Sequence, residues 1–315
     1  MEEKFIFLRD PWRYVEDDDS GWGNRLVCWE AAYNIVKQLD SNHVIKVLPQ
    51  EFPELHLVNL ICTSFTKLQK ITAIPIQDGQ VDSWIQNNNV DLDPNLSYIT
   101  NFSFLNSARI NRSFGINKKH IQKISIKNEQ VQKYIKNTVK EFIGIHIRRG
   151  NGVYTTKEDL KKIPVEFQKY YNLCLDCGKE YIFIEDSMYF NIIDSILKDN
   201  PKTLFYISID VDERAVDYFK TRYPGKIFTR TDIIEKNREV FTSVSFFNQY
   251  EQLTNMGYNL VDFFSLSFCK DIIESPFSSW CSMAAKISGK NSNSISKNLF
   301  KDTLTKYNEL DSRLI

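Results

Sequence analysis

With four histidines among 315 residues, the chain is poor in the side chain most often used to bind a transition metal. Only Cys174 and Cys177, in "LCLDCGK", have a metal-like or redox-like spacing, and no second paired motif accompanies them. Zinc is therefore disfavoured, and the six cysteines read as free thiols in a reducing compartment. Charge of one sign is missing as well. Forty basic and forty acidic side chains cancel, which removes any argument from net charge for a nucleic-acid or polybasic membrane partner. No stretch approaches the roughly 18 uninterrupted apolar residues of a membrane span. The start, "MEEKFIFLRDPWRYVEDDDSG", has no apolar leader region. A cytoplasmic protein is expected, with peripheral association at the inner face of a membrane still compatible. G-x-G-x-x-G is absent too, which disfavours a nucleotide-dependent dehydrogenase.

What is present is a hydrophobic content of 42%, enough to bury roughly three quarters of the unfolded surface at this length. Two domains are expected. "KFIFLRD", "SGWGN", "RLVCWEAAYNIVKQLD" and "HVIKVLP" read as strand, glycine turn, helix and strand, one βαβ unit. From Phe52 to about Ile135 the pattern is mixed α/β, with "LVNLICTSF", "KITAIPI" and "LSYITNFSF" each readable as strand or short helix. The second half alternates more clearly. Strands "FIGIHI", "YIFIED", "TLFYISI", "KIFTR" and "DIIES" are separated by amphipathic segments, including a helix from about Val240 to Met256 followed by the apolar run "LVDFFSLSFC". Such alternation marks a doubly wound parallel sheet. The expected division is residues 1–135, an N-terminal α/β domain on the acceptor side; 136–290, a C-terminal Rossmann-like domain; and 291–315, a polar tail.

Three polar clusters fall where strand-end loops would be, which is where open α/β sheets bind ligands. In "SGWGNRL", Gly21 and Gly23 permit close backbone approach while Asn24 and Arg25 begin the helix, or the segment is an ordinary turn with an asparagine cap. In "FIGIHIRRGNG", Ile143, Ile145 and Ile147 face one way and Gly144, His146 and Arg148 the other. Arg148 and Arg149 before a Gly-Asn-Gly turn suit an arriving anion, because a guanidinium offers two parallel charge-assisted bonds to a phosphate. The alternatives are a surface arginine pair held by carboxylates and a structural histidine. In "ESPFSSWCSMAA", Ser278 or Ser279 starts a helix whose hydroxyls and N–H groups form an anion site, or the serines merely cap it. Two anion sites and a glycine turn on facing domain edges suggest a nucleoside diphosphate.

"GIHIRRGNG" resembles the arginine motif of the fucosyltransferase superfamily. Its Gly-Asn-Gly ending is most like the nodulation fucosyltransferase and the bacterial α-1,6- and α-1,2-fucosyltransferase group. "GWGNRLVCWEAAYNIVKQL" is similar to the family's amino-terminal turn and helix, and "DFFSLSFCKDIIESPFSSWCSMAAKISG" to its carboxy-terminal motif. The resemblance implies a GT-B fold, two Rossmann-like domains facing across a cleft, and inverting transfer of L-fucose from GDP-fucose to a glycan or glycolipid. It implies no metal and no cofactor beyond the donor. It would put Arg148 on the donor β-phosphate, His146 against the nucleotide or sugar, and Arg149 on the loop or acceptor side. Gly23 and Asn24 would reach the donor from the first domain, and Ser278 and Ser279 the pyrophosphate. Asp262 would hold the nucleoside or the loop, and Glu185 and Asp186, in "FIEDS", would approach ribose or guanine. Where the family often has Phe and Gly after the serine pair, this chain has Trp280 and Cys281, which weakens the acceptor and base assignments.

Glu158 and Asp159, in the loop after Gly152, are general-base candidates by position. Asp91 and Asp93, a D-x-D pair, sit in a turn-like "DLDPN". Trp12, Trp22, Tyr154 and Trp280 could stack on sugar rings. Two other readings stay open: a GT-B transferase using another nucleotide sugar, and a non-catalytic sugar- or nucleotide-binding protein of the same fold.

Overall fold

The structure, a computed structural model, describes residues 3–9, 21–48, 52, 55, 57–60, 63–64, 72–101, 103–115, 118–148, 161, 165, 184–210, 212–242, 251–275 and 278–290. The chain divides into two compact units, Met1–Asn128 and Glu129–Ile315.

In the first unit the elements run β1 (Phe5–Leu8), α1 (Trp22–Gln38), β2 (Val44–Val47), β3 (Val58–Asn59), β4 (Thr63–Ser64), β5 (Ile74–Ile76), α2 (Asp78–Asn87), β6 (Tyr98–Thr100), α3 (Phe104–Phe114) and β7 (Ser125–Ile126). Five strands form a parallel sheet in the order β4-β2-β1-β6-β5. β3 and β7 pair antiparallel. β1, α1 and β2 form the expected βαβ unit, and α1 is buried over most of its surface, where Leu26, Trp29, Ala32, Ile35 and Val36 are joined by Arg25, Glu30 and Asn34. The helix starts earlier than expected, at Trp22, with Gly21 as an extended N-cap. Gly23 and Asn24 thus belong to its first turn, where Asn24 N–H donates to Gly21 O at 2.9 Å. "LSYITNFSF" is not one element: it gives β6 and then the start of α3.

The second unit holds α4 (Glu129–Val139), β8 (Ile143–Ile147), α5 (Asp186–Asp199), β9 (Phe205–Ile209), a 3₁₀ turn at Glu213–Val216, α6 (Asp217–Arg222), β10 (Ile227–Phe228), α7 (Arg230–Glu235), α8 (Arg238–Thr242), α9 (Glu251–Phe268), β11 (Asp271–Ile273) and α10 (Ser279–Ile287). Its four-stranded sheet is parallel throughout, in the order β10-β9-β8-β11. On one face Ile145, Ile147, Ile207, Ile209 and Ile273 pack against Tyr189, Ile192 and Ile193 of α5 and Phe219 of α6. The opposite face carries Gly144, whose missing side chain lets α9 close on the sheet. A Cβ there would lie 2.7 Å from Leu266 Cδ1 and 3.2 Å from Cys269 Cβ.

One expectation needs correction. The run "LVDFFSLSFC" is not separate from the preceding helix; it forms the second half of α9. Leu260, Val261, Phe263, Phe264 and Leu266 are all buried, and so are Asp262, Ser265 and Ser267 between them, so protein surrounds the helix on every side there. Of the expected "YIFIED" strand, residues 181–183 lie outside the described residues, as does nearly all of the segment from 162 to 180.

Candidate functional site

The strand order of the second sheet reverses at β8. From β8 the chain builds β9 and β10 on one side, then crosses to lay β11 on the other. α5 packs on the face of Ile145 and Ile147. α10 lies with α9 on the opposite face, where the Trp280 and Phe263 rings meet edge to face at 5.1 Å. Helices thus lie on both faces of this sheet, and open α/β sheets bind ligands beyond the carboxyl ends of the strands where the order reverses.

Arg148 is the first residue past β8. Its backbone N–H donates to Ser275 Oγ at 3.1 Å. Its guanidinium Nε lies 4.0 Å from the carboxylate of Asp210, the residue just past β9, and the two side chains are 22% and 31% exposed. Ser275 lies two residues past β11 and is 4% exposed. Its hydroxyl donates to His146 O at 2.7 Å and lies 3.1 Å from Tyr189 OH. Since the serine proton goes to the carbonyl, the tyrosine donates. His146 is buried and pairs in register with Ser208.

The start of α10 completes this edge. Ser278 is its N-cap, with Oγ accepting from Cys281 N–H at 3.4 Å and its own N–H donating to Ser275 O at 3.4 Å. Ser279 is the first helical residue. The first-turn amides and the positive end of the helix therefore lie at the carboxyl edge of the sheet.

Asp262 is buried on α9 beneath β9, with Tyr206 OH donating to Oδ1 at 2.6 Å and Ser208 Oγ to Oδ2 at 2.7 Å. Burial pushes its carboxyl up to about 6, against the opposing pull of Arg230 and of these two donors. Burial and the Asp262 carboxylate in turn hold the Tyr206 phenol well above its ordinary value. At the entrance to α5, Glu185 is the N-cap and Asp186 the first helical residue. Asp186 is buried and accepts from Tyr218 OH.

The second unit thus brings together His146, Arg148, Ser278 and Ser279 at one edge, with Asp262 below the same sheet. Glu185 and Asp186 begin the helix on its other face. Gly23 and Asn24 stand in the first unit, at the start of α1. Arg149, Glu158 and Asp159 lie outside the described residues, as do Trp12 and Tyr154. Trp22, read as a sugar-stacking candidate, is instead buried and presents no ring to solvent. Asp93 opens a turn in which its Oδ1 accepts from Asn95 N–H at 2.8 Å, and Asp91 precedes that turn in irregular chain.

Sequence reasoning missed Ser275 and Asp210. Both had a signal: each is the first or second residue beyond an apolar strand, at the level of the arginine pair in a neighbouring strand. Among the described residues no group of three His, Cys, Asp or Glu could hold a metal ion, and no helix is long and apolar enough to cross a membrane.

No family model matches the chain, and no curated protein matches it. Solved structures do. The fucosyltransferase NodZ from Bradyrhizobium aligns with a TM-score of 0.50 at 12% identity, over 90% of this chain and 92% of that one. NodZ alpha-1,6-fucosyltransferase soaked with GDP-fucose aligns with a TM-score of 0.51 at 11% identity, over 91% and 93%. At such identities the likeness is one of fold. In its architecture, then, this chain is a fucosyltransferase-like α/β protein of the GT-B class.

Proposed function

We propose that the chain is a glycosyltransferase that moves L-fucose from GDP-fucose to a glycan or glycolipid, with inversion and without a metal ion. The observation that carries this reading is the setting of Arg148 at the carboxyl end of the strand where the sheet order reverses. Ser275 joins it there to the strand that leads into α10. The neighbouring fold is found in a fucosyltransferase soaked with GDP-fucose, which favours that donor over other nucleotide sugars.

Breaking the bond between fucose and GDP builds negative charge on the β-phosphate and oxocarbenium character on the sugar. A fixed guanidinium and helix-end amides stabilise that growing charge more than they stabilise the intact donor, which lowers the barrier. In this reading Arg148 meets the β-phosphate, and Ser278 and Ser279 receive the pyrophosphate. His146 lies against the nucleotide, and Asp262 holds the strand ends beneath it through Tyr206 and Ser208. Glu185 and Asp186 stand toward the ribose, Asn24 serves the donor from the first unit, and Arg149 supports the loop. The acceptor hydroxyl attacks the anomeric carbon from the face opposite GDP, and Glu158 or Asp159 takes its proton.

The test is a panel of nucleotides. GDP and GDP-fucose at about 100 times their Kd should raise Tm by a few degrees, and UDP and UDP-sugars should not. The stabilisation should persist in EDTA. Stabilisation by uridine nucleotides alone, or by none, would overturn the reading.

A further inference from the structure

We infer that Ser275 is a positioning residue of this donor site, fixing the backbone of Arg148 so that its guanidinium is aimed at the diphosphate. The inference rests on the donor-site reading above.

The β8–β11 ladder carries its last register pair at Ile145 and Ile273. Two residues further along, where Ser275 comes level with Ile147, a side chain takes up the next rung. The Ser275 hydroxyl stands in for that rung: it receives Arg148 N–H and donates to His146 O, spanning the backbone on both sides of Ile147. Tyr189 OH supplies the third bond, from the buried face of α5. One oxygen thereby ties β8, β11 and α5 at the residue from which the guanidinium extends. The side chain is not spent on starting the next helix, since Ser278 caps α10. An arginine side chain has several rotatable bonds, so a tether at its backbone is what limits the arc its head can sweep. A displacement on the order of 1 Å at a reacting group costs about 100-fold in rate, and a shared buried hydroxyl is a strong guard against it.

Calorimetric titration of the full chain with GDP reads this directly. Ser275→Ala should weaken GDP binding about 10-fold in the otherwise native chain. In an Arg148→Ala background the same change should weaken it less than about twofold, because the group it aims is gone. Equal affinities of native and Ser275→Ala protein would overturn the inference, and so would an equal loss in both backgrounds, which marks a purely structural role. Should Ser275→Ala fail to fold, Tyr189→Phe removes one of the three bonds and should cost about threefold, again only while Arg148 is present. An unchanged Kd in that variant would likewise overturn the inference. Absence of GDP binding by the native chain is a different result: it removes the donor-site reading itself, and the inference with it.

Discussion

Asp262 shows at the scale of one residue how burial and hydrogen bonding compete. Two donors and a nearby guanidinium favour the carboxylate, yet burial wins and its pKa rises to about 6. In the unfolded chain an aspartate titrates at about 4. Between those values the native state holds a proton that the unfolded state has released, so stability is lost as pH rises through the window. Asp262→Asn removes this contribution. In denaturant titrations, the stability of the native chain relative to Asp262→Asn should decline from pH 4 to pH 6 and level off above. Parallel curves across that range would contradict the assignment. Much of the candidate site was legible at this scale. An arginine pair directly after an apolar strand is conspicuous because parallel strands are otherwise apolar on both faces, and a serine pair before small residues marks a helix start. Ser275 and Asp210 carry only the signal of standing just past an apolar strand, and the pairing that gives them weight is with a residue more than 60 positions away.

Among the elements, β8 and α9 illustrate why a glycine stands inside a strand. Gly144 faces α9 with Leu266 and Cys269 already within the space a methyl group would need. Gly144→Ala gains a few tenths of a kcal/mol to about 1 kcal/mol from a stiffer unfolded chain. It loses about 1–3 kcal/mol to overpacking, and the loss decides the sign. Urea denaturation should show a net destabilisation of about 1–2 kcal/mol; a more stable variant would mean that Leu266 moves aside without cost. An element with one buried face was readable from its period, as in α5, where Tyr189, Ile192 and Ile193 are buried. α9 was misread where it passes through the core, because surrounding it with protein erases the contrast on which the period depends. The short strands β3, β4 and β7, of two residues each, leave no periodic signal.

For the molecule as a whole, alternating strands and helices were enough to indicate two α/β units, while strand order was not readable. Order depends on which crossovers go left or right of β8, and no local property of the chain encodes that choice. The order nevertheless fixes where a ligand should act. Hydrogen exchange of the full chain should show GDP slowing exchange at Arg148 and in the first turn of α10. The five-stranded sheet β4-β2-β1-β6-β5 should change far less. Protection confined to that sheet would place the nucleotide in the wrong unit for this scheme. The tie between Ser275 and Arg148 spans 127 positions, and this has a consequence for synthesis. A nascent chain exposes its arginine long before the serine has been made, so the edge proposed to hold the donor closes only when β11 slots in beside β8. Any chain cut short of that strand keeps the charge but has nothing to steer it.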